Sequence, residues 1–171
     1  MLFRSNEARR TSELLEKMRE GEKVALLTDA GMPSISDPGY RIVRACIENG
    51  IRIEVIPGPS ALLTALVGSG LPTDRFYFGG FLPVKSGQRE RELLAALARE
   101  VTSIYFESPH RIIRSLEVIG REAPTRLICV ARELTKQFEE YWRGEASTVC
   151  THYAGHPPKG EITLLISGSK L

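Results

Sequence analysis

Short apolar runs alternate along this chain with stretches whose apolar residues recur every three or four positions, and that alternation restricts the fold to stacked layers of helix and strand. Leu14, Leu15 and Met18 share one helical face ahead of Gly21, which predicts an amphipathic helix over residues 6–20. A strand is expected at 23–28, a helix through Ile42, Val43, Cys46 and Ile47 ending at Asn49-Gly50, and a second strand at 51–56. PGPS then opens a helix carrying Leu62, Leu63, Leu66 and Val67. The stretch LPTD, 71–74, reads as a linker, giving a first domain over 1–72 and a second over 73–171. In the second, strands are expected at 75–81, 103–107, 127–131 and 161–167, with helices at 87–100, 109–121 and 144–153. Neither a bundle nor a sandwich alternates in this way, so the expected class is α/β.

Composition removes several function classes. With 42% hydrophobic and 26% charged residues in 171, the chain has enough apolar surface for a real core. No apolar run approaches the roughly 20 residues that span a bilayer, and MLFRSNEARR has no apolar segment behind its basic residues, so a cytoplasmic location without membrane insertion is expected. Cys46, Cys129 and Cys150 are far apart among apolar neighbours, the pattern of reduced core thiols. Of the three histidines His110 stands alone, and His152 and His156 have only Cys150 nearby, too few candidate ligands for a metal to be expected. Residues 1–74 hold nine basic and ten acidic side chains and the remainder 14 and 11, too small an excess to establish a polyanion partner by itself.

The densest run of chemistry-bearing residues is TDAGMPSISDPG, 28–39, at a strand end ahead of a helix, where α/β sheets bind ligands. Asp29 and Asp37 take hydroxyl or amino hydrogens there, or Asp37 simply caps the helix that follows. PGPSA, 57–61, repeats the arrangement, with Ser60 either a cap or part of a second wall to the same crevice. Phosphate-loop, dinucleotide-fingerprint and serine-elbow motifs are absent, which lowers nucleotide hydrolase, oxidoreductase and serine hydrolase readings. In the second half FESPHR, 106–111, and ARELTK, 131–136, each group a carboxylate with cations at a strand end. Glu107, His110 and Glu133 are the acid–base candidates, and Arg111, Arg132 and Lys136 the phosphate contacts, against the alternative of ion pairs that brace strand–helix corners.

Taken in order, SNEARRTSELLEKMREGEKVALLTDAGMPSISDPGYRIV, EVIPGPSALLTAL, FYFGGFLPVK, YFESPHRI, CVARELTKQFEE and KGEITLLISG resemble the ribosomal RNA small-subunit methyltransferase I family of the tetrapyrrole (corrin/porphyrin) methylase superfamily. The resemblance implies a two-domain tetrapyrrole-methylase-like α/β fold, dimerisation, and S-adenosylmethionine as the methyl donor to a cytidine ribose 2′-oxygen of small ribosomal subunit RNA. It places Asp29, Ala30, Gly31, Pro33, Ile35, Ser36, Ser60 and Ala61 around the cofactor, with Phe106 and Gly160 as walls from the second domain. Met32 stands where the family usually has a small hydroxylated residue, which removes one polar contact. The family's opening strand with its TPIGNL-like glycine turn is missing, so the first domain is expected to be incomplete and N-terminally truncated. Two alternatives stay open: methylation of a tetrapyrrole or a protein side chain, and a non-catalytic remnant.

Overall fold

In the computed structural model, which describes residues 6–170, the chain divides into two compact units between Ser60 and Ala61. The first unit contains α1 (Glu7–Arg19) and α2 (Tyr40–Glu48), packed together, and two long connecting segments. Thr11 of α1 and Ile42 and Cys46 of α2 are buried, and the Cys46 thiol lies 3.9 Å from the Met18 sulfur. Both helices follow their expected spans closely.

The strands expected at 23–28 and 51–56 do not form. An extended segment becomes a strand only when its N–H and C=O groups find a neighbouring strand, and among the described residues of this unit there is none. Their apolar side chains accordingly stay open: Leu27 is 86% exposed and Ile56 85%.

The second unit opens with α3 (Ala61–Ser69) and continues through β1 (Phe76–Phe81), α4 (Ser86–Ala98), β2 (Thr102–Glu107), α5 (Ile112–Glu122), β3 (Leu127–Arg132), β4 (Glu140–Glu145), α6 (Ala146–Gly155) and β5 (Ile162–Ile166). Its five strands form one mixed sheet in the order β1-β2-β5-β3-β4. β1 and β2 run parallel across the α4 crossover, and every other pairing is antiparallel. β5, the last strand in sequence, lies at the centre and is buried on both faces, which explains why ITLLI is apolar at every position but Thr163.

One face of the sheet packs under α4, α5 and α6 through Tyr105, Leu116, Val130, Tyr153 and Leu164. The other packs under α3 through Leu62, Ala65, Leu66, Ile104, Cys129 and Leu165. This second core is why the units divide ahead of α3 and not at the linker expected at 71–74: three buried side chains of α3 tie it to the sheet. Cys129 lies inside that core, and burial pushes its thiol up to about 11; Cys46 and Cys150 are raised by the same cause, as expected of unreactive reduced thiols.

Candidate functional site

The loop over 28–39 is held at both ends. Its base is closed by the Thr28 hydroxyl, which donates to Asp37 Oδ2 at 2.9 Å. Its far end is pinned by Glu7 of α1, whose Oε1 accepts the Gly39 N–H at 3.0 Å and the Arg41 N–H at 3.3 Å. Glu7 therefore serves the N-terminus of α2, and Asp37, weighed as that cap from sequence, is engaged with Thr28 instead. Only glycine fits at 39: φ is +143°, and a Cβ there would strike the Ser34 hydroxyl and come within 2.8 Å of Leu26 Cδ2.

Between these anchors Ser34 and Ser36 adopt positive φ, 71° and 64°, strain that a loop sustains only where its surroundings over-determine it. Asp29, Ala30, Gly31 and Ile35 are exposed, while Pro33 and Ser36 are half-buried. The PGPS turn runs alongside. A Cβ on Gly31 would lie 3.9 Å from the Pro59 carbonyl oxygen, and one on Gly58 would lie 3.9 Å from Met32 Cγ. Two bare stretches of backbone thus approach side by side, with an open carboxylate at Asp29 and an apolar side chain at Ile35. Such a donor and acceptor set fits a nucleoside: a carboxylate for ribose hydroxyls or an ammonium group, backbone for polar ring edges, and apolar surface for a base. Ser60 is half-buried at the foot of α3, and Ala61 is its exposed first residue.

In the second unit the remaining candidates gather at one end of the sheet. Strand register places Glu107 opposite Ile162, Ile162 opposite Arg132 and Arg132 opposite Glu140, one row across four strands. Glu107 is 2% exposed and fully engaged: the Arg111 guanidinium lies at 2.6 Å, and the Ser108 N–H and Ser115 hydroxyl donate at 2.7 and 2.9 Å. Arg132 pairs with Glu140 at 3.0 Å and donates to the Lys159 carbonyl at 3.3 Å. Lys136 bridges Glu133 at 3.1 Å and Glu161 at 3.2 Å. The Glu161 N–H and the Lys136 ammonium together hold the Glu133 carboxyl below the usual range, the amide being the larger cause. His110 is exposed, and no hydrogen bond of its ring occurs among the described residues. Phe106 faces the α3 side of the sheet, edge-on to Phe78 and Phe81 at 5.1 and 5.4 Å.

The cations singled out by sequence are thus each neutralised within the chain. Lys85, Arg91, Arg114 and Lys159 are exposed and have no ion pair among the described residues. Sequence offered no way to separate the two sets, because the pairing of Arg132 with Glu140 is decided by strand register. No cluster of three metal-ligating side chains occurs among the described residues, and no helix there is long and apolar enough to cross a membrane.

Comparison with known proteins matches residues 2–150 to the family of tetrapyrrole (corrin/porphyrin) methylases. Proteins named ribosomal RNA small subunit methyltransferase I are similar over most of the chain. That of Thermotoga maritima is 43% identical, across 96% of this chain and 74% of its own length. The Synechocystis protein is 45% identical across 94% and 58%, and that of Mesorhizobium japonicum 49% across 90% and 53%. The chain therefore spans little more than half the length of the latter two. Among solved structures, the methyltransferase CobJ aligns with a TM-score of 0.68 at 21% identity, covering 95% of this chain and 72% of that one. A uroporphyrin-III C-methyltransferase from Thermus thermophilus, complexed with S-adenosylhomocysteine, aligns at 0.57 and 18%, covering 93% and 73%. At these identities the two structures establish the shared fold.

Proposed function

This chain belongs to the tetrapyrrole (corrin/porphyrin) methylase family, and within it to the ribosomal RNA small-subunit methyltransferase I group, and from that premise we propose that it methylates the ribose 2′-oxygen of a cytidine in small-subunit ribosomal RNA, using S-adenosylmethionine. The observation that carries the proposal is the side-by-side approach of the Gly31 and Pro59 backbones beside Asp29, with nucleoside chemistry in the chain's densest run of Gly, Pro, Ser and Asp. Asp29, Ala30, Gly31, Pro33, Ile35 and Ser36 would hold the cofactor from the first unit, and Ser60 and Ala61 from the turn into α3. When bound, it supplies an electrophilic methyl group on a sulfonium, so the chain need only align the acceptor oxygen and take its proton.

Of the three acid–base candidates, His110 is the one whose ring is open to accept that proton. Glu107 already accepts from three donors, and one oxygen of Glu133, Oε1, takes both an amide and an ammonium. RNA phosphates fall to Lys85, Arg91, Arg114 and Lys159, with Arg111, Arg132 and Lys136 bracing the site. The protein acts in the cytoplasm as a homodimer, which sedimentation of the purified chain checks.

The deciding experiment is transfer of labelled methyl to isolated small ribosomal subunits, with a tetrapyrrole as the competing acceptor. Label in the RNA at a cytidine ribose supports the proposal; label in the tetrapyrrole alone, or binding of S-adenosylhomocysteine without turnover on either, refutes it. In RNA binding, Arg114→Ala should lower the salt slope by about one, the release of about one counterion, and leave cofactor affinity unchanged. Arg132→Ala should change the slope less.

A further inference from the structure

β1 forms one edge of the sheet and does not keep an even register with β2. Phe78 lies opposite Ile104 and Phe81 opposite Phe106, so β1 carries one extra residue at Gly79-Gly80, a bulge. Glycine is needed at both positions: a Cβ on Gly79 would strike the Tyr105 ring, and Gly80 has φ of +68°. Because strand side chains alternate between faces, the extra residue decides which neighbour is displayed. An even strand would send Phe81 to the face opposite Phe78, under α4, α5 and α6. With the bulge, Phe81 joins Phe78 against the Phe106 ring on the α3 face, and Leu82 enters the other core in its place. The smaller side chain is buried and the larger aromatic one is left 57% exposed, so burial alone does not account for the arrangement.

The loop that follows is held firmly. Arg89 of α4 is buried, and its guanidinium donates to the Pro83 carbonyl at 3.4 Å and the Val84 carbonyl at 3.1 Å. The Leu82 N–H donates to the Phe106 carbonyl at 3.0 Å, tying the start of the loop to β2. As β1 and β2 are parallel, the segments that leave them, 82–85 and 108–111, emerge at the same end of the sheet, where α/β layers receive ligands. Neither 82–89 nor 108–114 contains an acidic residue. Lys85, His110 and Arg114 are exposed there, and Lys85 and Arg114 have no ion pair among the described residues. An open aromatic face flanked by cations and free of carboxylates complements a flat, uncharged base carried on a phosphate chain.

We propose that Phe81 is the ring on which an unpaired base of the substrate RNA stacks, with Lys85 and Arg114 taking the flanking phosphates. The inference rests on the RNA methyltransferase reading above and adds to it a residue that selects single-stranded over paired RNA, since a base reaches a side-chain ring only after leaving its own stack.

The test measures binding of isolated small ribosomal subunits to the full chain and to F81A, F81L and F81W, with calorimetric titration of S-adenosylhomocysteine and a thermal melt for each. F81A and F81L should bind the subunits about tenfold more weakly, the effect of losing one base–ring stack, while F81W should bind at least as tightly as the parent chain. F81L keeps the apolar contact with Phe106, so its loss reports stacking and its melt should stay close to that of the parent. The salt slope of F81L should not change, because no counterion is released by an uncharged ring. L127A, at an exposed apolar side chain at the opposite end of the sheet, should bind the subunits as the parent does. Parent-like subunit binding by F81L, or a loss in L127A equal to that in F81L, would overturn the inference alone. Weaker S-adenosylhomocysteine binding by F81L with subunit binding intact would assign the ring to the cofactor and overturn it as well. A parent chain that binds no small subunits would overturn the RNA methyltransferase reading and the inference with it.

Discussion

Residues 51–56 of the first unit, IRIEVI, and β5 of the second, ITLLI, each hold four apolar side chains, the first interrupted by Arg52 and Glu54, and they meet opposite fates. β5 is paired on both sides and buried throughout, while 51–56 forms no strand and leaves Val55 73% and Ile56 85% exposed. The difference lies in the neighbours. β5 lies between β2 and β3, in a sheet whose two faces are covered by helices. In the first unit, α1 and α2 bury a modest interface of their own, and no described segment offers an edge to 23–28 or 51–56. An apolar run announces a strand only on condition of a partner.

That contrast can be broken by substitution. The largest effect is expected at Glu107, where alanine would remove the acceptor of three donors and leave the Arg111 guanidinium unpaired in a buried corner, about 3–5 kcal/mol by urea unfolding followed at the single tryptophan, Trp142. Glu107→Ala with unchanged stability would show that the corner is held by packing alone. A second, slightly smaller effect compares the same chemistry in both units. Leu164→Ala in β5 should cost about 2–5 kcal/mol, and Leu27→Ala, at a side chain 86% exposed, under about 0.5 kcal/mol in a melt followed by circular dichroism. Equal losses would mean that 23–28 is packed in solution as a strand would be.

Much of this was legible because it is local. The helices follow from spacing and nearby stops, and four of the five strands of the second unit from short apolar runs between them; β4, EYWRGE, has no such run and was not expected, its place being set by pairing with β3. The loop over 28–39 stood out through its density of Gly, Pro, Ser and Asp. What stayed hidden depends on residues distant in sequence. Arg132 looked like a free cation until register set Glu140 opposite it, and nothing local announces the Glu161 amide that meets Glu133 Oε1. The positive φ of Ser34, Ser36, Glu133 and Thr135 carries no composition signal at all, since none is a glycine. The same limit applies to the boundary between units: LPTD has the look of a linker, and only the burial of Leu62, Ala65 and Leu66 under the sheet assigns α3 to the second unit.

Glu7 gives the first unit its own counterpart of Glu107, and a smaller one. Each is a glutamate that secures a corner, but Glu107 meets a guanidinium at 2.6 Å whereas Glu7 meets chiefly two backbone amides, with Arg41 at 3.9 Å. No side chain of Gly39 can cap α2, so the Glu7 carboxylate supplies an acceptor from another helix. Glu7→Ala should therefore cost about 1–2 kcal/mol, the range of a lost helix cap, and Glu7→Gln less, because one oxygen remains. The local readout is amide exchange: Gly39 and Arg41 should exchange faster in Glu7→Ala while the β5 amides do not change. Because Gly39 also ends the loop that begins at Thr28, the loosening should spread back toward Ser34 and Ser36, whose positive φ depends on both ends being held. Protection at Gly39 that survives the loss of Glu7 would place the anchor of that loop elsewhere.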